Sequence, residues 1–155
     1  VSGALVWRRF EELSLDELYD LLALRAEVFV AEQRSPYLDV DGRDRIALHL
    51  LAQGGDEGLA GYLRVLPPPG PRGAARIGRL AAAPHARGQG LARRMMKAAL
   101  GRIAESWPQA TVGLAAQTQL CGFYESFGFR RVGDDYDEEG VRHCDMVLLA
   151  PSADP

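Results

Sequence analysis

Arg87-Gly88-Gln89-Gly90-Leu91-Ala92 joins a predicted strand, residues 75–82, to a predicted helix that starts at Gly90 and runs to about Glu105. Such a junction can grip an anion, because the first helical turn leaves about four backbone N–H groups unpaired and the helix dipole adds roughly half a positive charge there. Gly88 and Gly90 allow positive φ and let an oxygen approach with no Cβ in the way, while Ala92 keeps the next position small. Arg87 adds a charged donor at the rim. Two better-known phosphate loops are excluded on spacing: a dinucleotide fingerprint needs a small residue where Arg93 stands, and a P-loop needs Gly-Lys-Ser/Thr, which the chain lacks. What remains is R-x-x-G-x-A after a strand, suited to a diphosphate.

The elements that must position this loop follow from pattern. Ser14-Leu15-Asp16-Glu17 reads as a capping box, so a helix begins there, buries Leu18, Leu21, Leu22, Val28 and Phe29, and ends near Ala31. Residues 32–45 are polar and turn-rich, an irregular connection or short helix of the kind that often carries binding residues. Two strand-like runs, 46–52 and 59–66, flank a Gly-rich turn and read as a hairpin. A proline-rich break at 67–71 precedes the 75–82 strand. After the glycine loop, Leu91, Met95, Ala99 and Ile103 share one helix face and Arg93, Arg94 and Lys97 another. A short strand (111–116), a helix (about 119–127) stopped by Gly128, and a closing hairpin (131–136 with 142–149) complete the order.

With 155 residues and 47% hydrophobic content the chain is expected to form one domain spanning 1–155. A net charge of −3 gives no bulk attraction to nucleic acid or an anionic membrane, and no run is long enough for a membrane span. Cys121 and Cys144 make neither a CxxC nor a dense framework, so a cytoplasmic location is expected. His49, His85 and His143 lack metal-ligand spacing, and no metal is expected.

Three blocks in the right succession resemble the GNAT N-acetyltransferases. The first is Leu80-x-Ala82-x-Pro84-x-x-Arg87-Gly88-x-Gly90-x-Ala92; the second is Gln117 through Phe129, ending Phe123-Tyr124-Glu125-Ser126-Phe127-Gly128-Phe129. The third combines Val28-Phe29-Val30-Ala31-Glu32-Gln33, Pro36-Tyr37-x-Asp39-x-Asp41-Gly42 and Gly140-Val141-Arg142-His143-x-x-Met146, and is similar to the ElaA-like branch of that family. The resemblance covers roughly residues 5–150. It implies an α/β (α+β) GNAT acyltransferase fold, a mixed and mostly antiparallel sheet flanked by helices. It also implies acetyl-coenzyme A as co-substrate, with the pantetheine arm along Leu80–Ala82, the diphosphate on Arg87, Gly88, Gln89, Gly90, Leu91 and Ala92, and Gln117 standing where many members have asparagine.

Acetyl transfer from a thioester to an amine needs a polarised carbonyl, a neutral amine and a proton for the leaving thiolate. Backbone N–H groups around Leu80 to Ala82 are candidates to polarise the carbonyl. Tyr124 is the candidate acid, since a phenol can donate to a thiolate as it forms. A primary alkylamine is mostly protonated at neutral pH, so a base is required, and Glu32, His49 and His143 are candidates by chemical type and by closeness to the expected cleft. Asp39 and Asp41 could draw in a cationic or zwitterionic amine. Arg25 reads as a structural ion-pair partner. The expected reaction is direct transfer within a ternary complex to a small-molecule amine. A protein N-terminus or lysine as acceptor stays open, as do a non-catalytic coenzyme A sensor and a homodimer.

Overall fold

The computed structural model describes residues 3–151. Seven strands form one sheet in the spatial order β1-β2-β3-β4-β5-β7-β6. In chain order they are β1 (Leu5–Arg9), β2 (Leu48–Gln53), β3 (Leu59–Leu66), β4 (Ala74–Ala82), β5 (Thr111–Gln117), β6 (Arg130–Glu138) and β7 (Val141–Leu148). Neighbours run antiparallel except β4 and β5, which are parallel and are connected through helix α2 (Leu91–Ser106), as a parallel pair requires a crossover. The α/β class and the mixed sheet flanked by helices are those expected.

Each face of the sheet buries its own apolar set. Helix α2 sinks Leu91, Met95, Met96, Ala99 and Ile103 into a core shared with Leu50, Leu63, Ile77, Leu114 and Met146, while Arg93, Arg94 and Lys97 stay exposed. On the other face helix α1 (Leu15–Arg25) packs Leu21 and Leu24 near Tyr62 and Ala81. Ser14 caps α1 by accepting from the Glu17 backbone N–H at 3.0 Å, and Glu17 turns its carboxylate to Arg8 instead of closing the box.

Three features depart from the sequence expectation. Strand β1 goes unannounced because five residues carry too little alternation to stand out. Helix α1 continues as a π-helical turn over Ala26–Glu32, which keeps Val28 and Phe29 buried. Tyr124 sits in a helix of one turn and a half, α3 (Cys121–Glu125), after a 3₁₀ turn at Thr118–Leu120, and Gly128 (φ 96°) ends it. The cysteines differ as well. Cys121 and Cys144 are fully buried and joined sulfur to sulfur between α3 and β7, because β7 folds back beside the short helix. No described helix is long and apolar enough to cross a membrane.

Two irregularities in β4 open the sheet. Its register with β3 slips by one residue: Tyr62 faces Ala81 and Arg64 faces Gly78, so Arg79 and Leu80 stand opposite Leu63 alone. Arg79 takes φ 56°, an arginine in the left-handed region where glycine is usual. On the other edge, β4 pairs with β5 only from Ala74 to Arg76 against Thr111 to Gly113. Beyond that point the strands part.

Candidate active site

The parted strands enclose a cleft of ≈ 480 Å³, lined from β4 by Ile77 to Leu80 and from β5 by Leu114 to Gln117. That volume suits a small ligand. A smaller pocket of ≈ 230 Å³ follows along β4, walled by Ala82, Arg87, Gly88, Gly90, Leu91 and Ala92. Leu80 and Ala82 therefore border successive pockets on one strand. Gly88 and Gly90 both take φ 77°, and a Cβ built on either meets no heavy atom within 4 Å. The first backbone bond of α2 runs from the Arg94 N–H to the Gly90 carbonyl, leaving the amides of Leu91 to Arg93 free of helical partners. An open cradle of amides at a helix N-terminus fits a diphosphate.

Around that cradle the side chains are already engaged. Arg87 holds Glu32 through two bonds of 2.8 and 3.0 Å and reaches the Ala82 carbonyl at 3.2 Å. Arg93 lies over the Phe123 and Phe127 rings. Gln89 is exposed, and its side-chain amide reaches the His85 carbonyl at 3.4 Å. Gly90→Val is expected to weaken coenzyme A binding about 10- to 100-fold, by forbidding the left-handed φ and filling the approach to the amides. Calorimetry on the folded variant checks this; unchanged affinity would remove the loop from the binding site.

Tyr124, His143, Gln117, Glu138 and Asp41 all line the main cleft. Tyr124 packs edge-on against Phe123 and Phe129, and burial pushes its phenol up to about 12, so it holds its proton throughout the neutral range. His143 stands opposite Gln117 on β5 and stacks on Tyr136 of β6. Its Nδ1 is 2.9 Å from the Val141 carbonyl, which can only accept, so in the neutral ring the hydrogen sits on Nδ1 and the lone pair on Nε2. Glu138 lies 3.7 Å from that Nε2.

The other two candidate bases stand elsewhere. His49 is completely buried in β2, with Nδ1 2.6 Å from the Tyr62 hydroxyl and Nε2 2.8 Å from the Asp44 carbonyl. Both nitrogens are engaged and burial pushes its pKa down, so it is a structural histidine without access to an acceptor. Glu32 faces the glycine loop instead of the acceptor cleft, and the Arg87 hydrogen bonds hold its carboxyl below the usual range. A carboxylate so stabilised is a weak base.

The acidic connection is neutralised where it stands. Arg25, wholly buried, reaches Asp39 at 3.0 Å, Asp44 at 2.7 Å and the Asp39 carbonyl at 2.7 Å. Arg64 grips Asp41 at 2.6 Å and Asp44 at 3.0 Å. Arg79 lies over the Tyr37 ring, 3.3 Å from Asp41 and 2.9 Å from Asp39, the latter ion pair too bent to count as a hydrogen bond. Three guanidinium groups face three carboxylates, so Asp39 and Asp41 offer no spare negative charge to a cation. The expectation that they attract the acceptor is corrected on that ground. Arg64, Arg76, Arg79 and Glu138 escaped the sequence reading. Arg64, buried inside an otherwise apolar strand run, carried the available signal, since a charge in a strand core needs a partner or a ligand; Arg76 is exposed and carried none.

A cleft at a parted pair of parallel strands, leading to a glycine loop at a helix N-terminus, defines a coenzyme A-dependent acyltransferase of the GNAT class. The chain belongs to that family: the model for the acetyltransferase (GNAT) domain matches residues 25–150. It is similar to protein ElaA of Escherichia coli, 39% identical over 138 residues that cover 88% of this chain and 90% of that one. The ElaA crystal structure matches with a TM-score of 0.85 at 36% identity, over 93% of this chain and 99% of ElaA. An acyl-CoA N-acyltransferase from Pseudomonas aeruginosa matches with a TM-score of 0.88 at 40% identity, over 94% and 99% of the two chains. A UPF0039 protein of Synechocystis is 36% identical over 145 residues, 94% of each. The family uses acyl-coenzyme A as co-substrate and transfers its acyl group to an acceptor.

Proposed function

We propose that this protein transfers an acetyl group from acetyl-coenzyme A to the amine of a small molecule, directly within a ternary complex. The observation that carries this reading is the convergence of Tyr124 and His143 on the cleft that opens beside the β4 bulge. The Nε2 lone pair of His143 takes the proton from the attacking amine, and Glu138 steadies the imidazolium that forms. Backbone N–H groups around Leu80 to Ala82 polarise the thioester carbonyl, with the bulge exempting Arg79 and Leu80 from regular pairing. Tyr124 gives its proton to the departing thiolate. An acyl-enzyme is disfavoured because both cysteines are sealed in the core.

The experiment is thiol release from acetyl-coenzyme A with a panel of small amines and varied concentrations of both substrates. Intersecting initial-rate patterns with at least one amine are expected. Parallel patterns would require an acyl-enzyme and end the direct-transfer reading. Tight acetyl-coenzyme A binding with no turnover on any amine or peptide would instead identify a sensor.

A further inference from the structure

We infer that the acceptor carries a carboxylate in addition to its amine, and that Arg76 is the residue that binds it. This rests on the proposed transfer to an amine and names the class of molecule that the same cleft admits.

The charges around the cleft point there. Arg64 and Arg79 are compensated by the aspartates, and Glu138 stands beside His143. Arg43 and Arg76, both exposed, also line the cleft, and among the described residues neither side chain has a hydrogen-bonding or ion-pairing partner. The balance left to a ligand is therefore positive, the reverse of what an acidic connection read from sequence would supply. An amine acceptor alone would be repelled by it. An acceptor with a carboxylate turns that charge into attraction.

The position of Arg76 is specific. It is the last residue of β4 to pair with β5, at the point where the two strands part, and its register partner across that pair is Gly113. A Cβ on Gly113 would lie 3.1 Å from Nη1 of Arg76, so the guanidinium rests over the one position of β5 that has no side chain. Asp145 is the acid of the neighbouring strand, and it is engaged by the Tyr136 hydroxyl at 2.8 Å instead of by Arg76. A guanidinium offers two parallel N–H donors matched to the two oxygens of a carboxylate.

The test uses acceptors matched on one scaffold: β-alanine, β-alaninamide, propylamine and 2-aminoethylphosphonate, together with α- and γ-amino acids and their carboxamides. Each is assayed by thiol release from acetyl-coenzyme A, and its binding to the coenzyme A complex is measured by calorimetry. The carboxylate member of a pair is expected to exceed its carboxamide about 10- to 100-fold in kcat/KM, the range of a charge-assisted hydrogen-bonded contact. Arg76→Gln should remove that advantage through KM, leaving kcat within about threefold and the carboxamide unaffected, while Arg76→Lys restores part of it. Equal KM for carboxylate and carboxamide across the panel, or a carboxylate preference untouched in Arg76→Gln, would overturn the inference; so would a preference for the phosphonate. If no amine is acylated, the reaction proposed above fails, and calorimetry still decides this point. A carboxylate preference of about tenfold or more in binding that disappears in Arg76→Gln upholds it, and equal binding rejects it.

Discussion

Arg25→Leu is expected to lower the unfolding free energy by about 3–5 kcal/mol, a large part of the stability of a domain this size. The magnitude follows from what the substitution leaves behind. Arg25 is wholly buried and holds Asp39 and Asp44, both nearly buried, together with the Asp39 carbonyl. Leucine fills much of the volume but gives those oxygens no donor, and an unpaired buried carboxylate loses its solvation without return. Chemical denaturation with both proteins at neutral pH checks it. A change under about 1 kcal/mol would mean that the carboxylates find water or rotate out, and that the cluster is a surface feature.

The same cluster fixes an acid limit. Burial alone would raise the Asp44 carboxyl, but the hydrogen bonds and charges of Arg25 and Arg64 outweigh it and bring it below its ordinary value. Asp41 is held lower still, chiefly by its hydrogen bonds from Arg64. Groups with depressed folded pKa values stabilise the protein above the unfolded value of about 4, and that contribution fades as the pH falls through the folded values. In Arg25→Leu, Asp44 loses its nearer cation, so its folded pKa rises and acid unfolding should begin at higher pH than in the parent.

How much of this could be read from the chain depended on distance along it. The glycine loop, the capped first helix and the amphipathic α2 are local patterns: Gly88 and Gly90 declare the left-handed turn, and Leu91, Met95, Ala99 and Ile103 recur at helical spacing. Tyr124 and His143 were named from short motifs, and the structure puts both on one cleft. What stayed hidden depends on register. Arg79 meets Asp39 and Asp41 across about forty residues, and only because a bulge turns β4 by one position. The aspartates looked like free charge because their partners lie on a helix and two strands far away in sequence. His49 looked like a base for the same reason, since its chemical type is visible in a sequence and its two bonds are not.

Tyr124→Phe is expected to reduce kcat by about 10²-fold, the lower end of what a positioned general acid contributes. Phenylalanine keeps the ring that packs against Phe123 and Phe129, and the phenol makes no hydrogen bond within the protein among the described residues, so stability and coenzyme A affinity should both hold. The hydroxyl is thus the single thing removed. Raised to about 12 by burial, it begins every turnover protonated, with a hydrogen to offer the thiolate as the bond to the carbonyl breaks. An interaction made mainly in the transition state lowers kcat and kcat/KM together, whereas a lost ground-state contact would raise KM alone. Single-turnover kinetics with a saturating acceptor separates the two. An unchanged chemical rate in the variant would return Tyr124 to a packing role and leave the thiolate to depart unaided.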